Sequence, residues 1–181
     1  MSEKILVVGA VALGPKAACR VKRLNPDAQV TMIDMSEKIS YGGCGIPYFI
    51  AGDVNNADEL QQTPYQIIRD KDFFRDFKDI DVRIRTRAMS IDRQAKTVLV
   101  KDLVKDEEYS LEYDKLVLAT GSTPLVPSWL AGSDLRNVFT VPKDKVYLDT
   151  MRDRLRTCRQ VVVIGAGFIG VEIADELTQT G

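Results

Sequence analysis

An α/β fold is predicted: a doubly wound parallel sheet with an antiparallel β-meander inserted into it, followed by the first βα unit of a second sheet of the same kind. Three observations carry it. Short apolar runs close on Gly9, Gly121 and Gly165, as strands buried in a parallel sheet do. Helical spacing of apolar residues follows the first and the last of these runs. Between them lie short alternating segments joined by charged turns, the pattern of antiparallel strands.

Taken in order, KILVV at 4–8 is a strand ending at Gly9, and Ala17, Ala18, Val21 and Leu24 mark a helix that stops near Asn25-Pro26. AQVTMID is the second strand and closes on Asp34. The turn between them, GAVALG, places Gly9 and Gly14 where the first and third glycines of a G-x-G-x-x-G dinucleotide turn belong, with Val11 in place of the second. Asp34 lies roughly 20 residues beyond the turn, where an acidic side chain holds a ribose hydroxyl. The N–H groups from about Ala12 to Gly14 would face a pyrophosphate.

The segment SYGGCGIPYF then surrounds Cys44 with Gly42, Gly43 and Gly45. A helix from Ile46, with Pro47 tolerated in its first turn, would put Cys44 at a helix N-terminus, where the dipole favours a thiolate. DVNNADELQQ reads as a polar loop, and a helix is expected from Pro64 to Phe77 with Phe73, Phe74 and Phe77 in the core. DVRIRT, MSIDRQAKTVLVKDL and YSLEY supply the meander, and KLVLATG returns to the parallel sheet. Pro124, Pro127, Ser128 and Gly132 mark a connector, and a helix is expected at roughly 143–156. QVVVIGAGFIGVEIADELTQTG completes the chain as a strand, an intact G-x-G-x-x-G at Gly165, Gly167 and Gly170, and an amphipathic helix.

Composition narrows the chemistry. The 181 residues are 45% hydrophobic and 28% charged, with a net charge of -1 and no basic patch of the kind nucleic acids require. No apolar run approaches the roughly 20 residues that cross a bilayer, and no signal peptide precedes the first strand, so a cytoplasmic protein is expected. Cys19, Cys44 and Cys158 are too scattered for a disulfide framework or a zinc site. With no histidine in the sequence, Ser-His-Asp and Cys-His arrangements are excluded. What remains is a thiol, a carboxylate or a bound cofactor.

Together VVGAVALG with Asp34, SYGGCGIPYF, KLVLATGS and VVVIGAGFIGVE resemble, in order and spacing, the N-terminal part of the pyridine nucleotide-disulfide oxidoreductases. The similarity runs along essentially the whole chain and is to the single-cysteine branch, which holds coenzyme A disulfide reductases, NADH oxidases and NADH peroxidases. It implies an FAD-binding domain over 1–122, a connector and helix over 123–158, and the start of an NAD(P)H-binding domain over 159–181. The rest of that second domain, a returning FAD segment and a C-terminal dimerisation domain are expected to be absent from these residues. Gly9, Val11, Ala12 and Gly14 would line the FAD pyrophosphate, Asp34 the ribose, Met35 and Ala88 the adenine, and Thr120 and Gly121 the crossing of the cofactor. Gly165, Gly167 and Gly170 would receive NAD(P)H, with NADH or NADPH as donor. Cys44 falls on the redox cysteine.

CGIPYF looks more like the coenzyme A disulfide reductase subgroup, in which Arg20, Arg23, Ser40, Gly43 and Lys78 would meet the substrate. Gly43 replaces a common Asn there, Leu13 and Pro15 alter the phosphate turn, and Met35 stands where a basic residue is common. The implied activity is NAD(P)H-dependent reduction of coenzyme A disulfide or polysulfide through FAD and Cys44, by a homodimer in the full-length form. The alternatives are an NADH oxidase or peroxidase that cycles Cys44 through sulfenic acid, and a non-catalytic nucleotide-binding fragment.

Overall fold

The computed structural model describes residues 2–179, Gln179 by its backbone alone, so the final two residues of the expected 159–181 segment lie outside the described residues. The chain divides into two compact units: residues up to Gly42 with Gln61–Gly121, and Gly43–Leu60 with the residues from Ser122 onward. Residues 43–60, which the sequence groups with the first 122, thus pack with the second unit.

In the first unit a four-stranded parallel sheet runs in the order β3 (Asp81–Arg83), β2 (Gln29–Ile33), β1 (Lys4–Val8), β7 (Lys115–Leu118). β1 is buried from Ile5 to Val8 because it has a strand on each side and a layer on each face, which is why it reads as an unbroken apolar run. On one face, α1 (Leu13–Leu24) and α3 (Lys71–Lys78) cover Ile5, Val7, Val30 and Met32 through Ala18 and Phe74. On the other, the antiparallel meander β4 (Thr86–Asp92), β5 (Thr97–Asp102) and β6 (Glu107–Glu112) meets Leu6, Val8 and Ile33 with Val98 and Val100, both fully buried.

Three expectations are corrected here. DVRIRT does not begin the meander; its first three residues form β3, paired in parallel with β2, and its alternation reflects an edge strand with one exposed side. No helix begins at Pro64. The Thr63 hydroxyl accepts the N–H groups of Tyr65 and Ile67, and Gln62 pairs with Ile68 in an isolated antiparallel bridge, so the backbone is committed to a tight loop. α3 starts only where the Asp70 carboxylate accepts the N–H of Phe73 at 2.9 Å. Of the three aromatics, Phe74 is buried and Phe73 partly so, but Phe77 is 70% exposed, its ring lying against Phe73.

The second unit is built around α2 (Ile46–Ala51), α4 (Lys145–Leu155) and α5 (Phe168–Gln179). Ile46, Phe49, Ile50, Leu148, Met151 and Ile173 make its core. Asp144 caps α4 by accepting from Tyr147 N–H, and Arg152 stacks 4.2 Å over the Phe49 ring while donating to the Asn55 carbonyl. The strand expected at QVVVI does not form: Val161 to Ile164 are exposed and join no ladder among the described residues. A parallel strand is held by its neighbours' hydrogen bonds, and here none of the described residues supplies them. No described helix is long and apolar enough to cross a membrane.

Candidate dinucleotide turn and redox cysteine

Register delivers the first site. Val8 pairs with Ile33 on one side and Leu118 on the other, so Gly9, Asp34 and Ala119 leave the carboxyl ends of three adjacent strands together. Ligands of open α/β sheets bind at this edge. Gly9 adopts φ +105, and a Cβ there would stand 2.1 Å from the Ala119 carbonyl oxygen; a Cβ on Gly14 would stand 1.7 Å from the Gly9 carbonyl oxygen. Only glycine at both positions lets β1, α1 and the segment after β7 approach this closely. Val11, at the position where a second glycine was expected, is not among the residues with positive φ, so its side chain costs the turn no strain.

Ala12, the N-cap of α1, offers no side-chain hydrogen bond, and the first turn carries no acidic residue. The leading N–H groups of α1 are therefore left to a ligand or to water, and no side chain of its own first turn offsets the positive end of the dipole. Asp34 lies beside this end. One carboxylate oxygen accepts the Ala10 N–H at 2.7 Å and the other the Ser36 N–H at 2.8 Å. A carboxylate has about four acceptor positions, so two remain for hydroxyl donors such as those of a ribose. The donors, the close backbone approach and the spare acceptors fit a dinucleotide pyrophosphate and its ribose.

The other predicted residues surround this edge. The Thr120 backbone nitrogen is 3.2 Å from the Cβ position of Gly9, and Thr120 and Gly121 are exposed, Gly121 with φ +74. Met35 is 58% exposed. Ala88 is half-buried on β4 beside the bulge between Ala88 and Ser90, and β4 is tied to the site where Thr86 N–H donates to the Asp34 carbonyl. Arg20, Arg23 and Lys78 are exposed cations of α1 and α3. Arg23 and Lys78 are both near Cys19, whose thiol is pushed up by burial and pulled back down by those two charges. Ser40 is 5% exposed and left-handed at φ 52.

Cys44 belongs to the second unit, exposed in a 3-10 turn over Gly43–Gly45 that runs straight into α2 with Pro47 in the first turn, as the sequence predicts. A Cβ on Gly45 would come 2.5 Å from Leu60, whereas one on Gly43 would only touch Lys143 at 3.5 Å. In the second glycine turn, Gly165 has φ +113 and a Cβ on Gly170 would stand 2.0 Å from the Gly165 carbonyl oxygen, while Gly167 has open space around it.

Sequence reading missed Gln61. Its side chain is 2% exposed and donates to the Ile39 carbonyl at 2.6 Å. Only its place in a polar stretch was visible, and polar residues in loops are ordinarily solvated.

Known proteins share this arrangement. A family model described as pyridine nucleotide-disulphide oxidoreductase matches residues 3–181. The NAD(P)H sulfur oxidoreductase (CoA-dependent) of Pyrococcus abyssi is 33% identical over 183 residues, covering 100% of this chain and 38% of that protein. The coenzyme A disulfide reductase of Staphylococcus haemolyticus is 33% identical over 98% of this chain and 38% of its own length. Among solved structures, an NAD-dependent persulfide reductase from A. fulgidus superposes with a TM-score of 0.90 at 36% identity, covering 98% of this chain and 32% of that one. A water-forming NADH oxidase from Lactobacillus brevis does so at 0.84 and 29%, covering 99% and 38%. The chain thus spans about 38% of the length of the first two relatives. With the glycine turn, the acidic residue after β2 and the cysteine turn in one order along one fold, the chain belongs to the pyridine nucleotide-disulphide oxidoreductase family.

Proposed function

We propose that this chain provides the flavin-binding part of an FAD-dependent oxidoreductase that reduces coenzyme A disulfide or polysulfide with NADH or NADPH through Cys44. The observation that carries the reading is the first glycine turn, with an uncapped α1 beside a carboxylate that retains acceptor positions. Gly9, Val11, Ala12 and Gly14 would hold the FAD pyrophosphate and Asp34 the ribose, with Met35, Ala88, Thr120 and Gly121 around the rest of the cofactor. Gly165, Gly167 and Gly170 would receive the pyridine nucleotide. The flavin, when bound, supplies the passage of reducing equivalents from the nicotinamide to sulfur.

Cys44 is the exposed thiol of a glycine-flanked turn, which leaves room for a second sulfur compound. Its thiolate would attack one sulfur of a substrate disulfide, forming the Cys44 mixed disulfide and releasing the other half as a thiolate that takes a proton from water. The exchange itself uses no electrons; the two electrons and one proton equivalent of a hydride from NAD(P)H, with one proton from solvent, would then break the mixed disulfide, returning Cys44 to the thiol and freeing the second thiol. Cys19 cannot readily serve as a resolving partner, because it packs against the core of the first unit. Arg20, Arg23, Ser40, Gly43 and Lys78 are proposed to meet the substrate, the three cations through the phosphates of coenzyme A. The full-length form is proposed to be a homodimer.

The test is mass spectrometry of the thiol-reduced protein after exposure to coenzyme A disulfide. The expected result is one added coenzyme A moiety on Cys44, absent in Cys44→Ser; an unmodified Cys44 would count against the reading. The likeness to the Lactobacillus brevis NADH oxidase favours a second reading, in which peroxide oxidises Cys44 to sulfenic acid. Trapping with a dimedone-type reagent after peroxide, with no coenzyme A adduct, would select it.

A further inference from the structure

Ser40 has an uncommon backbone for a residue with a side chain, φ 52, and it is buried. The peptide group between Ile39 and Ser40 is held at both ends. Its N–H donates to the Ala10 carbonyl at 2.7 Å, and its carbonyl accepts from Gln61 Nε2 at 2.6 Å. A planar trans peptide points these two groups in opposite directions, so fixing both fixes the orientation of the plane. Ala10 is the residue after Gly9, and its own N–H is the one that Asp34 accepts. Hydrogen bonds on both sides of Ala10, joined covalently through that residue, therefore link the Asp34 carboxylate to the Ile39–Ser40 peptide and Gln61.

Gln61 is itself anchored from behind. Arg69 donates both its backbone N–H, at 3.1 Å, and its side-chain Nε, at 3.0 Å, to the Gln61 main-chain carbonyl. The short loop between them is closed by the Gln62–Ile68 bridge and by a backbone bond from Thr63 N–H to the Ile67 carbonyl. With Ile39 1% exposed, loss of the Gln61 amide would leave its carbonyl buried without that donor, a strong penalty.

We propose that Gln61, anchored by Arg69, is a positioning residue for the flavin turn: it holds the Ile39–Ser40 peptide in its left-handed setting so that Ser40 N–H fixes Ala10 and, through Ala10, the Asp34 carboxylate. The flavin part of this statement rests on the proposed function; the positioning of Ala10 does not. Gln61 touches no substrate, and its effect on cofactor binding is indirect.

The experiment compares the protein with its Gln61→Glu, Gln61→Leu and Arg69→Ala variants by amide hydrogen exchange and by FAD titration from pH 5 to 8. In Gln61→Glu the introduced carboxylate, when ionised, presents an acceptor to an acceptor, whereas its protonated form can donate to the Ile39 carbonyl. At pH 8 the expected result for Gln61→Glu is exchange at the Ser40 amide, after correction for intrinsic pH dependence, about tenfold or more faster than in the parent, with the Val7 and Met32 amides unchanged. FAD affinity falls about tenfold in parallel. Both effects recede as pH falls, while Gln61→Leu stays impaired throughout. Arg69→Ala, which keeps the core amide and loses only an anchor, shifts both readouts in the same direction by a smaller factor. Unchanged Ser40 exchange in all three variants, or identical pH profiles for Gln61→Glu and Gln61→Leu, would overturn the proposal. Changed Ser40 exchange in a protein whose parent form binds no FAD would leave the positioning of Ala10 standing and overturn the flavin reading instead.

Discussion

The two glycine turns of this chain are nearly the same piece of local geometry placed in different surroundings. Gly9 and Gly165 have φ of +105 and +113, and in each turn the third glycine is pressed against the carbonyl oxygen of the first, with a Cβ-to-oxygen separation of 1.7 Å at Gly14 and 2.0 Å at Gly170. The valine two residues before the first glycine faces the third in both, with Val7 3.2 Å and Val163 3.5 Å from where a Cβ on Gly14 or Gly170 would stand. Around them everything differs. Gly9 follows a strand paired on both sides and lies against Ala119, whereas Gly165 follows a segment that is exposed and unpaired among the described residues. Turn shape is thus set by a handful of local residues, but strand formation is set by neighbours.

The largest effect expected from this comparison is at the third glycines. Gly14→Val should destabilise the first unit by about 3 kcal/mol or more, since a backbone oxygen cannot yield to the new side chain. Gly170→Val makes the same local clash but should leave the unfolding of the first unit within about 0.5 kcal/mol, measured by urea denaturation followed through exchange of core amides. Equal losses would show that the turns are not energetically separate.

Asp34→Ala comes next. It removes acceptors from two backbone N–H groups, Ala10 and Ser36, and should cost about 2–3 kcal/mol by the same assay. A loss below about 0.5 kcal/mol would mean that water replaces the carboxylate at both donors.

The units differ in their thiols as well. Burial pushes Cys19 up while Arg23 and Lys78 pull it down, and Cys44 and Cys158 are exposed. Alkylation near neutral pH should be about tenfold or more slower at Cys19 than at the other two, followed by peptide mass spectrometry. Arg23→Ala with Lys78→Ala should slow it further, because both cations favour the thiolate; acceleration would mean that access rather than charge governs the site.

The smallest effect lies on α5. Desolvation, then the neighbouring Asp53 and Asp175 charges, raise Glu176 above the ordinary glutamate value of 4.5, and the protonated form bonds to Asp53. The contribution is therefore fully present below that ordinary value and is lost as pH rises through the raised one. Glu176→Gln, which keeps a donor and removes a charge, should slow exchange of α5 amides at pH 7 and leave them unchanged at pH 4. Faster exchange at pH 7 would contradict the assignment.

Much of the first unit was legible because its residues answer to single dominant demands. β1 is apolar since it is enclosed on both sides, whereas β7 carries an apolar run at the sheet edge with Leu118 57% exposed, and Gly9, Gly14 and Asp34 stand at fixed offsets because a strand end and a helix start require them. β3 was misplaced since three residues at an edge alternate like a meander strand. The helix expected from Pro64 begins only at Lys71, because the helical spacing of Phe73, Phe74 and Phe77 belongs to α3 alone while the Thr63 hydroxyl governs the backbone before it. Gln61 was invisible for a related reason: its role depends on a carbonyl contributed by a residue 22 positions away, and no local pattern records that.

The proposed holding of a flavin dinucleotide by the first turn is tested most directly by titrating the purified protein with FAD and recording bound absorbance after desalting, alongside Gly14→Ala and Gly170→Ala. Retention of about one flavin per chain by the parent and by Gly170→Ala, with loss in Gly14→Ala, is the outcome the structure predicts. A folded parent that stays colourless, or one whose flavin is lost through Gly170→Ala and kept through Gly14→Ala, would contradict it.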